Sequence, residues 1–312
     1  MPRAVVMRAF GGPEVLRVED IALPPLRPGD VRIRMLAAAI NHSDLEVRTG
    51  AWPIRRADPF PYVPGLEVVG EVIEGSGSGR RVITMMQGLG GVRGERAGGY
   101  QDIVTVAEGV VAELPADADP LAAAALGLAA VTAHQGLAQL GALAGKRVGV
   151  TGAAGGVGSV ACALAVARGA TVTAIARPGN ETYLTSLGVA RVVARPEPRS
   201  LDGVLDTVAG SLFEPEVEAL VDGGRLSVVG AMGGDRVGLT IWELLRGIVL
   251  TGYSSETLDG SALRAAISDV LALVCEGRLA APKYTTFPLA RAADAHALIE
   301  QRGVQGRVLL VP

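Results

Sequence analysis

The chain has 312 residues, enough for one large or two medium-sized domains. Hydrophobic residues make up 49% and charged residues 20%, a balance typical of globular proteins and unlike that of disordered chains. The net charge of −3 argues against nucleic-acid or anionic-membrane binding, because both need basic surfaces.

The first 120 residues are predicted to form a compact β-rich domain. Short apolar runs alternate with glycine and proline, as strands alternate with turns. The predicted strands are AVVMRAF, DVRIRMLAAAI, EVVGEVIEG, RRVITMM and YQDIVTVAEGVVAEL. A glycine-rich, charged stretch at 88–99 fits equally a cap over a cleft and a surface loop.

A second domain is predicted from residue 121 to residue 253. It opens with a helical connection, PLAAAALGLAAVTAHQGLAQL, and then strands and helices alternate. The strands are RVGVTGA, TVTAIAR, ARVVA, GVLDTVA, RLSVVGA and IVLTGYS, and the helices are at 156–168, 180–187, 213–221 and 241–246. This alternation predicts a doubly wound parallel sheet. The linker RPEPRSLD is too short and proline-rich for a crossover helix.

Residues 254–312 are predicted to complete the first domain, with a helix at 261–275 and strands at 285–289 and 306–311. The fold class is therefore α/β. The two cysteines, Cys162 and Cys275, lie far apart in helical patterns, so we expect no disulfide and a core position for Cys162. The first residues form a strand pattern, and no apolar run reaches the roughly 18–20 residues of a membrane span. We expect a soluble, cytoplasmic protein.

A cluster of small residues joins the first strand and the first helix of the second domain. Its members are Ala153, Ala154, Gly155, Gly156, Val157 and Gly158. Small residues permit a tight turn and the approach of a pyrophosphate, and the helix N-terminus offers free N–H groups. Ala153 takes the place of the first glycine of G-x-G-x-x-G. Because strand, turn and helix follow in the required order, the cluster predicts a dinucleotide site.

The residue that follows the next strand indicates which dinucleotide binds. An acidic residue about 20 positions past the glycines would hold the ribose 2′-hydroxyl of NAD, but the chain has Arg177 there. Arginine can hold a 2′-phosphate through two parallel hydrogen bonds, and Arg195 follows the next strand and could join it. The sequence therefore favours NADPH, although a solvated strand-end arginine is the alternative.

Motifs along nearly the whole chain resemble the medium-chain dehydrogenase/reductase superfamily. They are FGGPEVLRVED, INHSDLEVRTG, VPGLEVVGEV, GGYQDIVTVAEGVVAELP, LGLAAVTAHQGL, AAGGVGSVA and GRVLLVP. The chain most resembles the zinc-independent quinone-oxidoreductase (zeta-crystallin-like) branch. This resemblance implies a GroES-like catalytic domain at 1–120, completed by 254–312, and a Rossmann NADP-binding domain at 121–253.

The resemblance also implies that no metal is bound. Zinc-dependent relatives carry a cysteine and a histidine at positions that match Asn41 and Leu66, and a lobe of four cysteines that this chain lacks. Asn41 and Leu66 cannot complete a tetrahedral zinc site. His42 is next to the first ligand position, but it has no thiolate partner.

Without a Lewis acid, hydride transfer is easiest to an acceptor that spreads charge over a conjugated system. We therefore expect NADPH-dependent reduction of quinones or α,β-unsaturated carbonyls. By resemblance, Asn41 and Thr132 lie beside the nicotinamide, although turn capping by Asn41 and helix backbone bonding by Thr132 are alternatives. His42, Tyr100 and Tyr253 are alternative hydrogen-bond donors, and Asp44 is read as structural.

Further cofactor contacts are expected after two later strands of the second domain, at 208–209 because ligands bind where such strands end and at 230–232 by resemblance to the family. These residues are Val208, Ala209, Gly230, Ala231 and Met232. The family often has tyrosines where Glu46 and Trp52 stand here, which leaves the substrate pocket open. The run IVLTGYS resembles the outer strand through which the family forms homodimers.

Two other functions stay open. One is a dedicated enoyl or polyketide-type reductase in a biosynthetic pathway. The other is an NADPH-binding protein without turnover.

Overall fold

The computed structural model describes residues 1–52, 59–86 and 96–312. Residues 88–95 of the glycine-rich stretch lie outside these ranges, so neither interpretation of it is tested. The chain divides into two compact units. The first comprises Met1–Leu128, Ser255–Leu271 and Ala281–Pro312, and the second comprises Ala129–Ser254 and Ala272–Ala280.

Fifteen strands and eight α-helices are present in the described residues. The strands are β1 (Arg3–Val6), β2 (Arg17–Asp20), β3 (Asp30–Ala39), β4 (Glu67–Glu74), β5 (Arg81–Met85), β6 (Ile103–Ala107), β7 (Ala112–Glu113), β8 (Arg147–Thr151), β9 (Thr171–Ile175), β10 (Arg191–Val193), β11 (Leu201–Asp206), β12 (Leu220–Val228), β13 (Val249–Gly252), β14 (Tyr284–Pro288) and β15 (Arg307–Val311). The helices are α1 (His42–Thr49), α2 (Pro120–Ala138), α3 (Gly156–Ala167), α4 (Glu181–Ser186), α5 (Phe213–Ala219), α6 (Ile241–Leu245), α7 (Gly260–Cys275) and α8 (Ala292–Glu300).

The first unit is built on a seven-stranded sheet, as its β-rich sequence predicts. The strand order is β14-β15-β3-β4-β5-β7, and β6 pairs with β3. The last strand, β15, runs parallel to β14 and antiparallel to β3, where Leu309 lies opposite Ala39. The C-terminal segment is therefore an inner part of this sheet. Alternate residues of β3, β4 and β15 form one apolar core, which includes Ile33, Val68 and Leu310.

Two helices of the first unit were not expected from the sequence. Helix α1 begins after Asn41 and ends at Gly50, whose φ of 81° is the left-handed conformation that glycine adopts readily. Its buried residues are Asp44, Leu45, Val47 and Arg48, so half of the buried face is charged. Helix α8 buries Ala292, Ala295 and His296. Helix α1 lacks the wide apolar stripe by which amphipathic helices are recognised, whereas α8 packs Ala292, Ala295, Leu298 and Ile299 against the core of the first unit.

The second unit contains a six-stranded parallel sheet, as predicted. Its order is β10-β9-β8-β11-β12-β13, which is the 3-2-1-4-5-6 order of the doubly wound dinucleotide-binding fold. No helix joins β10 to β11, in agreement with the short linker. The predicted helices are present, and each of them ends one or two residues earlier than expected.

The unit boundaries differ from the expected domain limits at three places, one of which is only Ser254, a residue of the second unit. The first unit extends to Leu128, and residues 272–280 belong to the second unit although the sequence placed them in the first domain. The early boundary falls within α2, beside Gly127, whose φ of 35° and ψ of −134° are not helical.

Helix α2 also bears on the expectation that no segment could span a membrane. By length and composition α2 could do so, because Thr132, His134 and Gln135 interrupt its apolar run without making it polar overall. Most of the helix is buried in the structure, as in a core helix. Because these three polar residues interrupt it, α2 contains no uninterrupted apolar run as long as a membrane span, and the sequence alone did not single it out.

Candidate functional site

The glycine-rich turn of the second unit lies between β8 and α3, where the sequence predicts it. Gly152 has a φ of 58°, and Ala153 is fully buried. A Cβ atom on Gly158 would lie 2.2 Å from the carbonyl oxygen of Gly152, so only glycine fits there. Gly155 starts α3 without a side-chain cap, and the first-turn N–H groups of the helix have no intrahelical acceptor. The turn therefore has the close backbone approach and the N–H groups that a pyrophosphate needs.

The two arginines proposed for the 2′-phosphate follow neighbouring strands. Ile175 of β9 lies opposite Val193 of β10, and Arg177 and Arg195 each come two residues later. Both side chains are exposed. Because parallel strands end at the same edge of a sheet, both arginines lie at the edge that carries the glycine-rich turn.

A third part of this edge is the turn after β11. Asp206 is fully buried, and its Oδ1 atom accepts hydrogen bonds of 2.8 Å from the N–H groups of both Val208 and Ala209. Oδ1 also accepts one of 2.9 Å from the hydroxyl of Thr151. Ala209 has a φ of 55°, an uncommon conformation for a residue with a side chain. Asp206 therefore holds this turn in a conformation that alanine disfavours.

The turn after β11 touches the other two predicted segments. A Cβ atom on Gly152 would meet Oγ1 of Thr207 at 2.4 Å, and one on Gly230 would meet the Thr207 carbonyl oxygen at 2.6 Å. The N–H of Gly233 donates to the carbonyl of Val208 at 2.7 Å. The structure thus brings the glycine-rich turn, Val208 and Ala209, and the segment that contains Gly230, Ala231 and Met232 to one edge. Thr132 is in this unit as well, nearly buried on α2.

In the first unit, Asn41 is bonded on both sides of its amide. Its Nδ2 donates to Oε1 of Glu67 at 2.9 Å, and its Oδ1 accepts from Nη1 of Arg307 at 3.1 Å. Its backbone N–H donates to Oδ2 of Asp44 at 2.8 Å. Asn41 precedes α1, so it occupies the capping position that was the alternative to a cofactor contact. These bonds fix which way the amide points.

Asp44 connects two segments of the first unit. Its Oδ1 accepts from the N–H of Leu66 at 3.0 Å, while Oδ2 holds the start of α1. Burial raises the pKa of Asp44 to about 7, and its hydrogen bonds with Asn41 and Leu66 oppose the shift. These contacts fit the structural role read from the sequence. Leu66 is itself buried.

An ion pair that was not predicted from the sequence lies at the centre of this network. Glu67 and Arg307 are both nearly inaccessible to solvent, and Nη2 of Arg307 donates to Oε1 of Glu67. Oε2 of Glu67 accepts from the N–H of Leu128 at 2.7 Å. Burial raises the pKa of Glu67, and the charge of Arg307 opposes this shift. The available signal was one charged residue at the start of each of two apolar strands, EVVGEVIEG and GRVLLVP.

The other residues considered as donors are in different surroundings. Tyr100 is fully buried, and its hydroxyl lies 3.3 Å from Nε2 of His296, which makes it a core residue of the first unit. His42 is exposed at the start of α1. Tyr253 follows β13 in the second unit. Trp52 donates its indole N–H to Glu256 at 2.8 Å, and Glu46 is partly buried.

Cys162 has the core position that the sequence predicted. Cys162 is fully buried, and burial raises the pKa of its thiol to about 12. Met85 and Met86 are buried as well, which agrees with core packing.

The residues that match the ligand positions of zinc-dependent relatives do not fit a zinc ion. Asn41 offers an amide already bonded to Glu67 and Arg307, and Leu66 offers no donor atom. Within residues 1–52, 59–86 and 96–312, no group of three His, Cys, Asp or Glu side chains is placed to hold a metal ion. This donor set lacks the thiolate and imidazole ligands that zinc prefers.

Two stretches of the chain match known protein families. Residues 27–116 match the family described as the alcohol dehydrogenase GroES-like domain. Residues 183–310 match the family described as zinc-binding dehydrogenase.

Two curated relatives and two solved structures are similar to the chain over most of its length. Quinone oxidoreductase from Homo sapiens is 30% identical over 335 residues, covering 99% of this chain and 97% of the relative. Acrylyl-CoA reductase AcuI from Ruegeria pomeroyi is 33% identical over 261 residues, covering 76% and 77%. An NAD-dependent alcohol dehydrogenase structure superposes with a TM-score of 0.88 at 31% identity, covering 99% of both chains. The yhdH oxidoreductase of Salmonella enterica, solved with NADP, superposes at 0.84 with 28% identity and 99% coverage of both.

Proposed function

Because the chain belongs to the quinone oxidoreductases of the medium-chain dehydrogenase/reductase superfamily, and is therefore an oxidoreductase, we propose that it reduces quinones or α,β-unsaturated carbonyls with NADPH and without zinc. The relatives support a nicotinamide cofactor. The use of the phosphorylated cofactor, the kind of acceptor and the independence from zinc are what we propose beyond this.

One observation carries the choice of NADPH. Arg177 and Arg195 follow neighbouring strands at the edge with the glycine-rich turn, and Arg177 stands where an NAD-binding chain would have a carboxylate. A guanidinium attracts a 2′-phosphate and can bind two of its oxygens, whereas a carboxylate would repel it. The name of the NAD-dependent neighbour points the other way. The affinities for NADPH and NADH therefore have to be measured side by side.

The groups of the second unit would bind and orient the cofactor. The glycine-rich turn and the N–H groups of α3 would hold the pyrophosphate, and the arginines would hold the 2′-phosphate. Val208, Ala209, Gly230, Ala231 and Met232 would line the same edge. When bound, NADPH supplies the hydride. A conjugated acceptor needs no metal because its own π-system spreads the charge, so oriented hydrogen-bond donors suffice.

We assign the catalytic roles to Asn41, Thr132 and His42. Asn41 can offer little of its amide to a ligand unless Glu67 or Arg307 moves, because both sides of the amide are bonded. Thr132 offers a hydroxyl, and His42 offers an exposed imidazole. Replacing each residue singly by alanine and measuring kcat and KM separately ranks the three residues by their effect on catalysis.

Replacement of Arg177 by aspartate tests the cofactor assignment. We expect Arg177→Asp to weaken NADPH binding about 100-fold, because an attraction becomes a repulsion, and to leave NADH binding within about threefold. Titration calorimetry with each cofactor measures both values. The control is Arg17→Asp, which makes the same charge change on an exposed residue of β2 in the other unit. Equal losses for NADPH and NADH would contradict the assignment.

A second candidate function is a dedicated enoyl thioester reductase, which the similarity to acrylyl-CoA reductase favours. The chemistry is the same, but the acceptor carries a thioester. Turnover with 9,10-phenanthrenequinone and none with an enoyl-CoA supports the quinone and enone assignment, and the reverse supports the second candidate. Oxidation of NADPH coupled to reduction of either acceptor would exclude a protein that binds NADPH without turnover.

We also propose a homodimer formed through β13. This strand is at the edge of its sheet, so one row of its backbone groups has no strand partner there. Large apolar side chains are exposed shortly before it in the chain, among them Ile241, Trp242 and Leu245 of α6. An exposed apolar patch next to an open strand edge is typical of a surface covered by another chain. The cytoplasmic location stays a prediction.

A further inference from the structure

Two buried carboxyl groups face each other beneath the turn after β11. One is Asp206, at the end of β11, and the other is Glu216, on α5 between Phe213 and Val217. Both residues are 0% exposed. Phe213 and Val217 belong to the apolar core of the second unit, so Glu216 points into a region without solvent.

Two ionised carboxylates here would leave three acceptor oxygens facing each other without a donor, unless one carboxyl keeps its proton. Oδ1 of Asp206 accepts from Thr151, Val208 and Ala209, which suits an anion. Oδ2 of Asp206 and both oxygens of Glu216 have no donor among the described residues. Two carboxylates can only accept, but a protonated carboxyl also donates. A proton on Glu216 therefore pairs it with the free oxygen of Asp206.

In the described part of the chain, the charged side chains of the packed elements have other partners or are exposed, so none of them neutralises this pair. On β11, Asp202 is paired with Arg147, and on β12, Asp222 is paired with Arg199 and Arg246. Arg225 of β12 donates to the carbonyl of Gln139. On α5 itself, Glu214 and Glu218 are exposed.

We propose that Glu216 is a positioning residue for the cofactor edge: as a neutral acid it donates to Oδ2 of Asp206, so that Asp206 stays an anion and holds the turn at 207–209. This inference rests on the proposed function for its meaning in catalysis. The turn is packed against Gly152 and Gly230 and is bonded to Gly233. A shift of Asp206 would therefore move the segments that follow β8, β11 and β12.

The physical chemistry of the pair supports the neutral form. Burial, the charge of Asp206 and the hydrogen bond to it, in that order, raise the pKa of Glu216 to about 10. An unfolded glutamate has a pKa of about 4.3, so between these two values the folded protein holds a proton that the unfolded chain releases. The contribution of Glu216 to stability is therefore complete below pH of about 4.3 and is lost progressively as the pH rises towards 10.

Two variants of similar size separate the proton from the volume of the side chain. Glu216→Gln keeps a neutral donor at every pH, whereas Glu216→Leu removes the donor. We expect the melting temperature of Glu216→Gln to rise relative to the wild type by about 2 °C for each pH unit between pH 5 and 9. The other titrating groups are common to both proteins and cancel in this difference, except for Asp206, which contacts the substituted side chain. A difference that does not change with pH overturns the proposal.

The cofactor provides the second measurement. At pH 7 we expect Glu216→Gln to bind NADPH within about twofold of the wild type, and Glu216→Leu to bind about tenfold more weakly, because Oδ2 of Asp206 loses its donor. A folded Glu216→Leu with wild-type affinity would overturn the positioning role. If Glu216→Leu does not fold, the pH dependence of Glu216→Gln still decides the protonation.

Variants of Glu218 serve as the control, and NADPH binding by the wild type separates this inference from the proposed function. Glu218→Gln and Glu218→Leu, on the exposed face of the same helix, are expected to change neither measurement. If the wild type binds no NADPH, the proposed function fails, and the cofactor part of this inference fails with it. The pH-dependent difference in melting temperature would still decide whether Glu216 carries the proton.

Discussion

At the scale of single residues, the pair of Glu67 and Arg307 shows what a buried charge requires. Each charge has left water, and each is balanced by the other and by polar neighbours. Asn41 contacts both members, and Leu128 contributes an N–H to Glu67. A buried pair adds little net stability compared with apolar residues, but the loss of one member leaves the other uncompensated.

We therefore expect Glu67→Gln to lower the free energy of unfolding by about 3 kcal/mol, because the guanidinium of Arg307 stays buried without a counter-charge. Urea unfolding measures this loss. Glu71→Gln is the matched control on the same strand. Its carboxylate lies 2.9 Å from Arg34, but both side chains are partly exposed, so the expected loss is below about 1 kcal/mol. Similar losses for both variants would contradict this account.

At the scale of structural elements, the glycine-rich turn depends on contact between two backbone segments. Gly158 allows the first turn of α3 to approach the end of β8. The same approach would bring the helix N-terminus within reach of a phosphate. A single methyl group at this position would force the two segments apart.

We expect Gly158→Ala to lower the free energy of unfolding by about 1–3 kcal/mol and to weaken NADPH binding, because the added Cβ would lie 2.2 Å from a backbone oxygen that has little room to move. Gly238→Ala is the control, since a Cβ there meets nothing within 4 Å. It should change stability by less than about 0.5 kcal/mol. Urea unfolding and calorimetry apply to both variants, and an unaffected Gly158→Ala would be incompatible with the close approach.

The elements also show which features can be predicted from sequence. The strands of the second unit follow one another, with turn residues between them, so a local pattern was sufficient to predict the parallel sheet and the edge that gathers its turns. Helix α1 was not predicted because its buried face contains Asp44 and Arg48. The bond between Glu67 and Arg307 joins residues that are 240 positions apart, and no local pattern contains that information. The pairing of Asp206 with Glu216 depends on burial, which the sequence of a short helix does not specify.

At the scale of the whole molecule, the apolar surface around α6 supports the proposed dimer. Trp242 and Leu245, on the five-residue helix α6, are 72% and 69% exposed. Burying such side chains against a second copy would remove apolar area from water at a favourable free energy. The open edge of β13 could pair with its symmetry mate.

We expect the wild type to have twice the chain mass of 31.9 kDa, and the double variant Trp242→Glu/Leu245→Glu to have the single-chain mass, because charged side chains oppose burial in the interface. Light scattering after size exclusion measures both masses. Val18→Glu, an exposed apolar residue of β2 in the other unit, is the control and should keep the mass of the dimer. A double variant that keeps the doubled mass would locate the interface elsewhere.

The inner position of β15 has a consequence for synthesis on the ribosome. All six strands of the nucleotide-binding sheet have been translated once residue 252 is added, so this sheet can assemble while the chain is still growing. The first unit, although it is begun first, waits for Arg307 to compensate the carboxylate of Glu67 and for β15 to reach its place between β14 and β3. The part made first is therefore expected to mature last, and a nascent chain stopped before residue 307 would present an incomplete sheet to the chaperones of the cell.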